Sequence, residues 1–272
     1  MSVLITPAQL SREIDSVLVF DCRFDLVLPG DGMQRFDEGH IPGAVYLNLD
    51  GDLTAPLAAH GGRHPLPSVK EMETLFGLLG IKLGETAVVA YDDEGGCYAA
   101  RLWWMLMYCG HDNVRVLDGG WTAWKDYGGA IDTDDVLSTP VPFAAKPRPE
   151  MLATMDDVRD RGSSDILFDC RAPERYSGAE ETIDVKAGHI PGALNVPWRD
   201  LVEENGRFVS VARMADALAV ADGRSIMYCG SGVTACVNIL AAVRAGLDLP
   251  RLYGGSWSDW ISYDENPVAT GS

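Results

Sequence analysis

Ser225-Ile226-Met227-Tyr228-Cys229-Gly230-Ser231-Gly232-Val233-Thr234-Ala235-Cys236-Val237-Asn238-Ile239-Leu240-Ala241-Ala242 reads as a short buried strand, a glycine-rich turn and a helix, with a cysteine at the corner. A helix start leaves backbone N–H groups unpaired and carries the positive end of the dipole, so a thiol placed there is favoured as thiolate. Gly230 and Gly232 permit positive φ, which lets successive amides curl inward as an anion-binding nest. Taken alone, such a cysteine is also readable as a small buried hydrophobe beside a tight turn. In open α/β sheets ligands bind beyond the carboxyl ends of strands, and that is where this loop falls.

Working outward, the chain contains itself twice. Asp21-Cys22-Arg23 recurs as Asp169-Cys170-Arg171, and Gly39-His40-Ile41-Pro42-Gly43-Ala44 recurs letter for letter as Gly188-His189-Ile190-Pro191-Gly192-Ala193. Asp118-Gly119-Gly120-Trp121 with Trp124 is echoed by Gly254-Gly255-Ser256-Trp257 with Trp260. Marks in one order at similar spacing imply two copies of one domain. The 272 residues then divide into a first domain over 1–130, a linker over 131–149 and a second domain over 150–272. The linker carries Asp132, Asp134 and Asp135, then Pro140, Pro142, Pro147 and Pro149, a composition suited to extended chain.

Within each half, β-branched runs alternate with amphipathic stretches, which predicts βα units around a mainly parallel sheet flanked by helices. Val17–Phe20, Ala87–Ala90 and Val114–Leu117 are the strand candidates of the first half. Ile166–Phe168, Ser225–Tyr228 and the stretch near Leu252-Tyr253 are those of the second. Ser68 reads as a helix N-cap with Gly80 as the stop, and Thr6 with Gln9 and Thr154 with Asp157 mark matching helix starts.

The halves differ at the loop. Aligning Tyr91 with Tyr228 sets Asp92 opposite Cys229, followed by Asp93-Glu94-Gly95-Gly96. With no thiol there and three acidic side chains to repel an anion, the first domain is expected to be catalytically inactive. Cys97 falls too late in the loop to occupy the nest and reads as structural, as does Cys236. The first half is longer after its Gly-His-Ile-Pro-Gly-Ala turn, and the excess includes His60-Gly61-Gly62-Arg63-His64-Pro65.

These marks resemble the two-domain rhodanese-like sulfurtransferases over essentially the whole chain. The Cys229–Ala235 loop is similar to that of members using 3-mercaptopyruvate, whereas animal thiosulfate-using members carry Arg and Lys at the positions of Gly230 and Ser231. Phosphatases that share the fold close their loop with an arginine for phosphate, and here Ala235 and Cys236 stand after Thr234. The resemblance implies an α/β fold of two tandem rhodanese-like domains, and sulfane-sulfur transfer from a small anionic donor through a Cys229 persulfide. Thiosulfate as donor, and a non-catalytic persulfide carrier, are the alternative readings. The implied acceptors are a thiol, a thioredoxin-like protein among them, or cyanide.

The resemblance also assigns residues. Arg175, before the aromatic Tyr176, is the implied carboxylate binder, because a guanidinium grips a carboxylate bidentately. Family members bring a second arginine before the next Gly-His-Ile-Pro-Gly turn, but here Lys186 is the one base from Tyr176 to Ala187, and Asp184 stands near the arginine's place. Gly230, Gly232, Val233 and Thr234 complete the implied substrate-binding loop, although Thr234 also reads as the cap of the following helix. Ser231 reads either as a hydrogen-bond donor or proton relay to substrate, or as a plain turn serine. His64 and Asp50, from the first half, are the implied proton-transfer pair, with surface polar residues as the alternative. Arg171 matches Arg23 and is expected to pair with a nearby acid. His40 and His189 are expected to hold their turns, and Trp121, Trp124, Trp257 and Trp260 to pack, with Trp257 also placed to line the site.

Composition bounds the rest. Forty acidic against 22 basic residues give a net charge of -18, which argues against nucleic acid or an anionic membrane as partner. The first residues lack a basic segment and long apolar core, and no apolar run is long enough to cross a bilayer. Six scattered cysteines are expected to be reduced, in a cytoplasmic protein. No spacing of Cys and His matches a zinc site, and neither cofactor nor metal is implied.

Overall fold

The computed structural model describes residues Ser2–Gly271, which form two compact units. The first holds the residues through Ala55, Pro67–Arg148 and Val202–Phe208; the second holds Pro56–Leu66, Pro149–Leu201 and the residues from Val209 onward. The units are therefore not contiguous stretches meeting at a linker.

The first unit runs β1 (Leu4–Ile5), α1 (Pro7–Glu13), β2 (Val17–Asp21), α2 (Asp31–Glu38), β3 (Ala44–Tyr46), α3 (Val69–Leu78), β4 (Ala87–Tyr91), α4 (Ala99–Tyr108), β5 (Val114–Leu117) and α5 (Gly120–Tyr127). Its five strands are parallel, in the order β1-β5-β4-β2-β3. The second unit runs β6 (Leu152–Ala153), α6 (Met155–Arg159), β7 (Leu167–Asp169), α7 (Pro173–Ser177), β8 (Leu194–Asn195), α8 (Val211–Ala217), β9 (Ile226–Tyr228), α9 (Ala235–Arg244), β10 (Arg251–Tyr253) and α10 (Ser256–Trp260). Its order, β6-β10-β9-β7-β8, repeats the first strand for strand. The parallel α/β fold inferred from the sequence is the fold observed.

Each central strand is apolar throughout because helices cover both faces of a parallel sheet. Val88, Val89, Ala90 and Tyr91 in β4 and Ile226, Met227 and Tyr228 in β9 are fully buried. Around them pack Val19, Ile41, Trp121 and Trp124 in one core and Leu167, Ile190, Trp257 and Trp260 in the other. Each such buried aliphatic side chain contributes roughly 1.5–3 kcal/mol of transfer free energy. The helix starts read from Thr6, Ser68 and Thr154 are all capping boxes, closed by Gln9, Glu71 and Asp157. Gly80, with φ +79, ends the turn after α3.

Both copies of the repeated turn are held alike. Asp21 receives the Arg23 guanidinium at 2.6 Å, as Asp169 receives Arg171 at 2.6 Å, and each guanidinium also donates to the carbonyl of the turn's first glycine. The ring of His40 bonds the Phe36 carbonyl, and that of His189 the Tyr176 carbonyl. The indole N–H of Trp124 donates to Ala130 O, and that of Trp260 to Pro267 O, so each tryptophan fixes the chain that follows its helix.

Residues 131–148 are extended, as their prolines require, yet they are docked rather than free. The N–H groups of Val141, Lys146 and Arg148 donate to Gly77, Cys109 and Tyr108, and Phe143 packs edge-on against Phe76. Residues 60–65, the excess of the first half, fold into the second unit. Gly61 N–H donates to Asp259 Oδ1 at 2.7 Å, Arg63 N–H to Ser258 Oγ at 3.1 Å, and the His60 ring stacks on Tyr263 at 3.9 Å. Asp259 is held in turn by the Tyr253 hydroxyl at 2.7 Å. Among the described residues no helix is long and apolar enough to cross a membrane, and the six cysteines carry free thiols.

Candidate active site

β9 ends at Tyr228, and the next residue, Cys229, is 2% exposed. Its N–H donates to Ser256 Oγ at 3.1 Å, and its carbonyl accepts from Trp257 N–H at 3.0 Å, so the first turn of α10 clamps the residue on both sides. Ser256 holds a left-handed φ of 57, the conformation that Gly120 adopts at the matching point of the first unit. A side chain tolerates this region at a cost of order 1–3 kcal/mol, and here the hydroxyl it carries is spent on Cys229.

Burial alone would push the Cys229 thiol up, yet its pKa lies below the ordinary thiol value. The Thr234 hydroxyl and the N–H groups of Ser231, Ala235 and Gly232 all bond the sulfur and stabilise the thiolate. Elsewhere burial prevails: it drives Cys22 and Cys170 well upward and Cys109 to about 12. The loop needs glycine to close. Gly232 has φ +77, and a Cβ there would meet Gly254 O at 2.1 Å. Thr234 departs from its reading as a helix cap: its backbone is already helical and its side chain makes no cap bond, because the hydroxyl faces the sulfur instead. Val233 is buried within the loop.

Other expected residues converge here. His64 Nδ1 lies 2.6 Å from Ser231 Oγ, and both residues are buried. Arg175 binds Glu181 through Nε at 3.1 and 3.0 Å and Asp184 through Nη2 at 2.8 Å. Burial works to raise the Glu181 carboxyl, but the Arg175 guanidinium and the N–H groups of Asp184 and Ile183 hold it below the usual range. Asp50 lies in the first unit, in the turn after β3, where its N–H donates to Asn48 Oδ1 at 2.9 Å and partial burial raises its carboxyl. Trp257 does not line the site: it is fully buried beneath the Arg171 guanidinium, 4.6 Å from the ring centre. Cys236 is fully buried in α9, and Cys97 is buried in the first unit.

Arg63 was not among the expected residues. A methyl group on Gly230 would stand 2.9 Å from Arg63 Nη2 and 3.5 and 3.6 Å from Arg175 Nη1 and Nη2, so both guanidiniums hang over the residue next to the thiol. Arg63 also pairs with Asp184 through Nη1. The Arg63-His64 dipeptide in the longer first half was the available signal, but nothing local ties it to a loop more than 160 positions away.

At the matching loop of the first unit, the anion is built in. Asp92 Oδ1 accepts from the N–H groups of Glu94 at 2.9 Å and Gly96 at 2.8 Å, and Oδ2 from those of Tyr98 and Ala99 at 2.9 Å each. Burial raises its carboxyl to about 6, against the pull of those N–H groups.

Twin parallel α/β units, one of which follows its central strand with a thiol held by amides, define a duplicated α/β protein with a single thiol-bearing nest. A family model described as the rhodanese-like domain matches residues 6–127 and 151–263, and the chain belongs to that family. It is 40% identical, over 98% of its length and 98% of the relative's, to a Pseudomonas aeruginosa protein named "Probable 3-mercaptopyruvate sulfurtransferase". It is 38% identical, over 99% and 98%, to a Mycobacterium tuberculosis protein named "Putative thiosulfate sulfurtransferase SseB". Among solved structures it matches 3-mercaptopyruvate sulfurtransferase from Leishmania major at a TM-score of 0.85 and 30% identity, covering 94% of this chain and 73% of that one.

Proposed function

We propose that this chain transfers sulfane sulfur from 3-mercaptopyruvate, through a persulfide on Cys229, to a thiol or to cyanide. The observation that carries the reading is the Cys229 sulfur, bonded by the N–H groups of Ser231, Gly232 and Ala235 and by the Thr234 hydroxyl. The thiolate attacks the donor sulfur, an S–S bond forms, and the donor's C–S bond breaks with its electron pair left on carbon. The resulting enolate of pyruvate takes up a proton, and the donor's own thiol proton balances the step. The buried His64–Ser231 pair supplies the proton path. The persulfide is again an anion at the same place, so the amides that favour the thiolate also hold the terminal sulfur. A nucleophilic acceptor removes it, which gives ping-pong kinetics.

On this reading Arg175 binds the donor carboxylate, the second unit, residues 56–66 included, is the catalytic one, and the first is a non-catalytic one whose nest is filled by Asp92. The acceptor in the cell is a cytoplasmic thiol, with a thioredoxin-like dithiol protein as the macromolecular case. Thiosulfate is the second reading for the donor, supported by the name of the 38% identical relative. Steady-state rates with each donor, cyanide as acceptor, separate the two. Pyruvate release that falls by roughly 10^4-fold or more in Cys229→Ser is the expected result. A native protein faster with thiosulfate than with mercaptopyruvate moves the assignment to the second reading.

A further inference from the structure

The geometry points to Arg63 as a specificity-determining residue of the donor site: with Arg175, and bridged to it by Asp184, it forms a two-guanidinium clamp for the carboxylate of the donor. The inference rests on the mercaptopyruvate reading only for the identity of that donor. Its physical basis lies within the second unit, because residues 56–66 are part of that unit.

Asp184 has a side chain only 3% exposed, and it accepts from Arg63 Nη1 with one oxygen and from Arg175 Nη2 with the other. One carboxylate therefore sets two like charges side by side, an arrangement that would otherwise be repulsive. Glu181 takes the Nε edge of Arg175, and Ser258 Oγ fixes the Arg63 backbone. Arg63 Nη2 and Arg175 Nη1 are left without a hydrogen bond among the described residues, and both stand over Gly230. Two N–H-bearing nitrogens from separate guanidiniums, directed at one place beside the nucleophile, match the two oxygens of a carboxylate. Gly230 leaves that place open, since any Cβ there would press on Arg63 Nη2. Asp184 acts as a positioning residue, and its presence where a second arginine would otherwise fall is complementary to an arginine arriving from position 63.

The clamp is tested on the full chain with Arg63→Ala, Arg63→Lys, Asp184→Asn and the exchange Arg63→Ala with Asp184→Arg. In Arg63→Ala, KM for mercaptopyruvate should rise by about 10- to 100-fold, the loss of one charge-assisted hydrogen bond, while kcat changes far less. KM for thiosulfate, a tetrahedral anion, should change little. Arg63→Lys should fall between, and the exchange variant should recover affinity by returning a guanidinium to the same neighbourhood. A second readout does not depend on the donor. Cys229 is alkylated with iodoacetate, which carries a carboxylate, and with neutral iodoacetamide, and the ratio of the two rates is compared. That ratio should drop by about tenfold in Arg63→Ala and less in Asp184→Asn. An unchanged KM and an unchanged ratio in a variant melting at the native temperature overturn the clamp, as does an equal rise in KM for thiosulfate. A native protein that releases no pyruvate, yet loses its iodoacetate preference in Arg63→Ala, sinks the donor reading and leaves the clamp standing.

Discussion

Two loops built alike, one after β4 and one after β9, gather backbone N–H groups around different anions. The first holds the Asp92 carboxylate with four of them. The second holds the Cys229 sulfur with three, and adds the Thr234 hydroxyl. A nest of this kind is indifferent to chemistry; it stabilises whatever negative charge the side chain brings. The carboxylate satisfies its loop permanently and leaves nothing to react. The sulfur is both anionic and polarisable, so the same stabilisation leaves a nucleophile.

The sharpest difference to probe is the residue two places on, Ser231 in one loop and Glu94 in the other. If the His64–Ser231 pair serves proton transfer, Ser231→Ala should lower kcat for mercaptopyruvate by about 10^2-fold with KM little changed. A kcat within a few-fold of native would reduce the pair to a structural contact. Removing the extra donor in Thr234→Val should raise the Cys229 pKa, read as a move of the iodoacetamide alkylation profile to higher pH. The sign follows from a folded value below the unfolded one: the stability this thiol contributes is full above the ordinary thiol range and is lost as pH falls through the folded value. An alkylation profile that stays in place in Thr234→Val would leave the amides as the sole cause.

The smallest expected effect concerns the first loop. Burial raises its carboxyl from the ordinary aspartate range to about 6, so its contribution to stability is full below about pH 4 and fades as pH rises through about 6. Asp92→Asn offers one acceptor oxygen instead of two and strands N–H donors, which should cost about 1–3 kcal/mol in urea unfolding at neutral pH. The same variant should lose the native protein's stability change between pH 4 and 6. Unfolding midpoints that track the native ones at every pH would show that the nest does not need its anion.

The repeat, the nest and the capping boxes were legible because each rests on residues close in sequence: Gly232 beside Cys229, Thr6 with Gln9, Ser68 with Glu71, Thr154 with Asp157; Gly230, read for the same positive φ as Gly232, does not adopt it. β1, β3, β6 and β8 were not legible, since these short strands lie at the sheet edges and lack the continuous apolar run of a strand buried on both faces. Thr234 was misread as a cap because a hydroxyl before a helix ordinarily serves the helix, and only the folded loop shows the sulfur within its reach. Arg63 escaped for a different reason. Its partners are Asp184 and Ser258, and the contacts that bring residues 60–65 into the second unit, from Asp259 and Tyr263, are all long-range. The absence of an arginine near Asp184 was visible in the sequence; its replacement from another segment was a matter of tertiary structure.

The exchange of residues 56–66 into the second unit also means that the duplication is no longer divisible. A fragment starting at Pro149 would keep the sulfur and its amides but discard the imidazole of His64 and the guanidinium of Arg63. It would correspond to an ancestral single copy in outline only. Dependence of this sort ties the second copy to the first: the first half cannot be lost or recombined with another gene without taking Arg63 and His64 from the second unit.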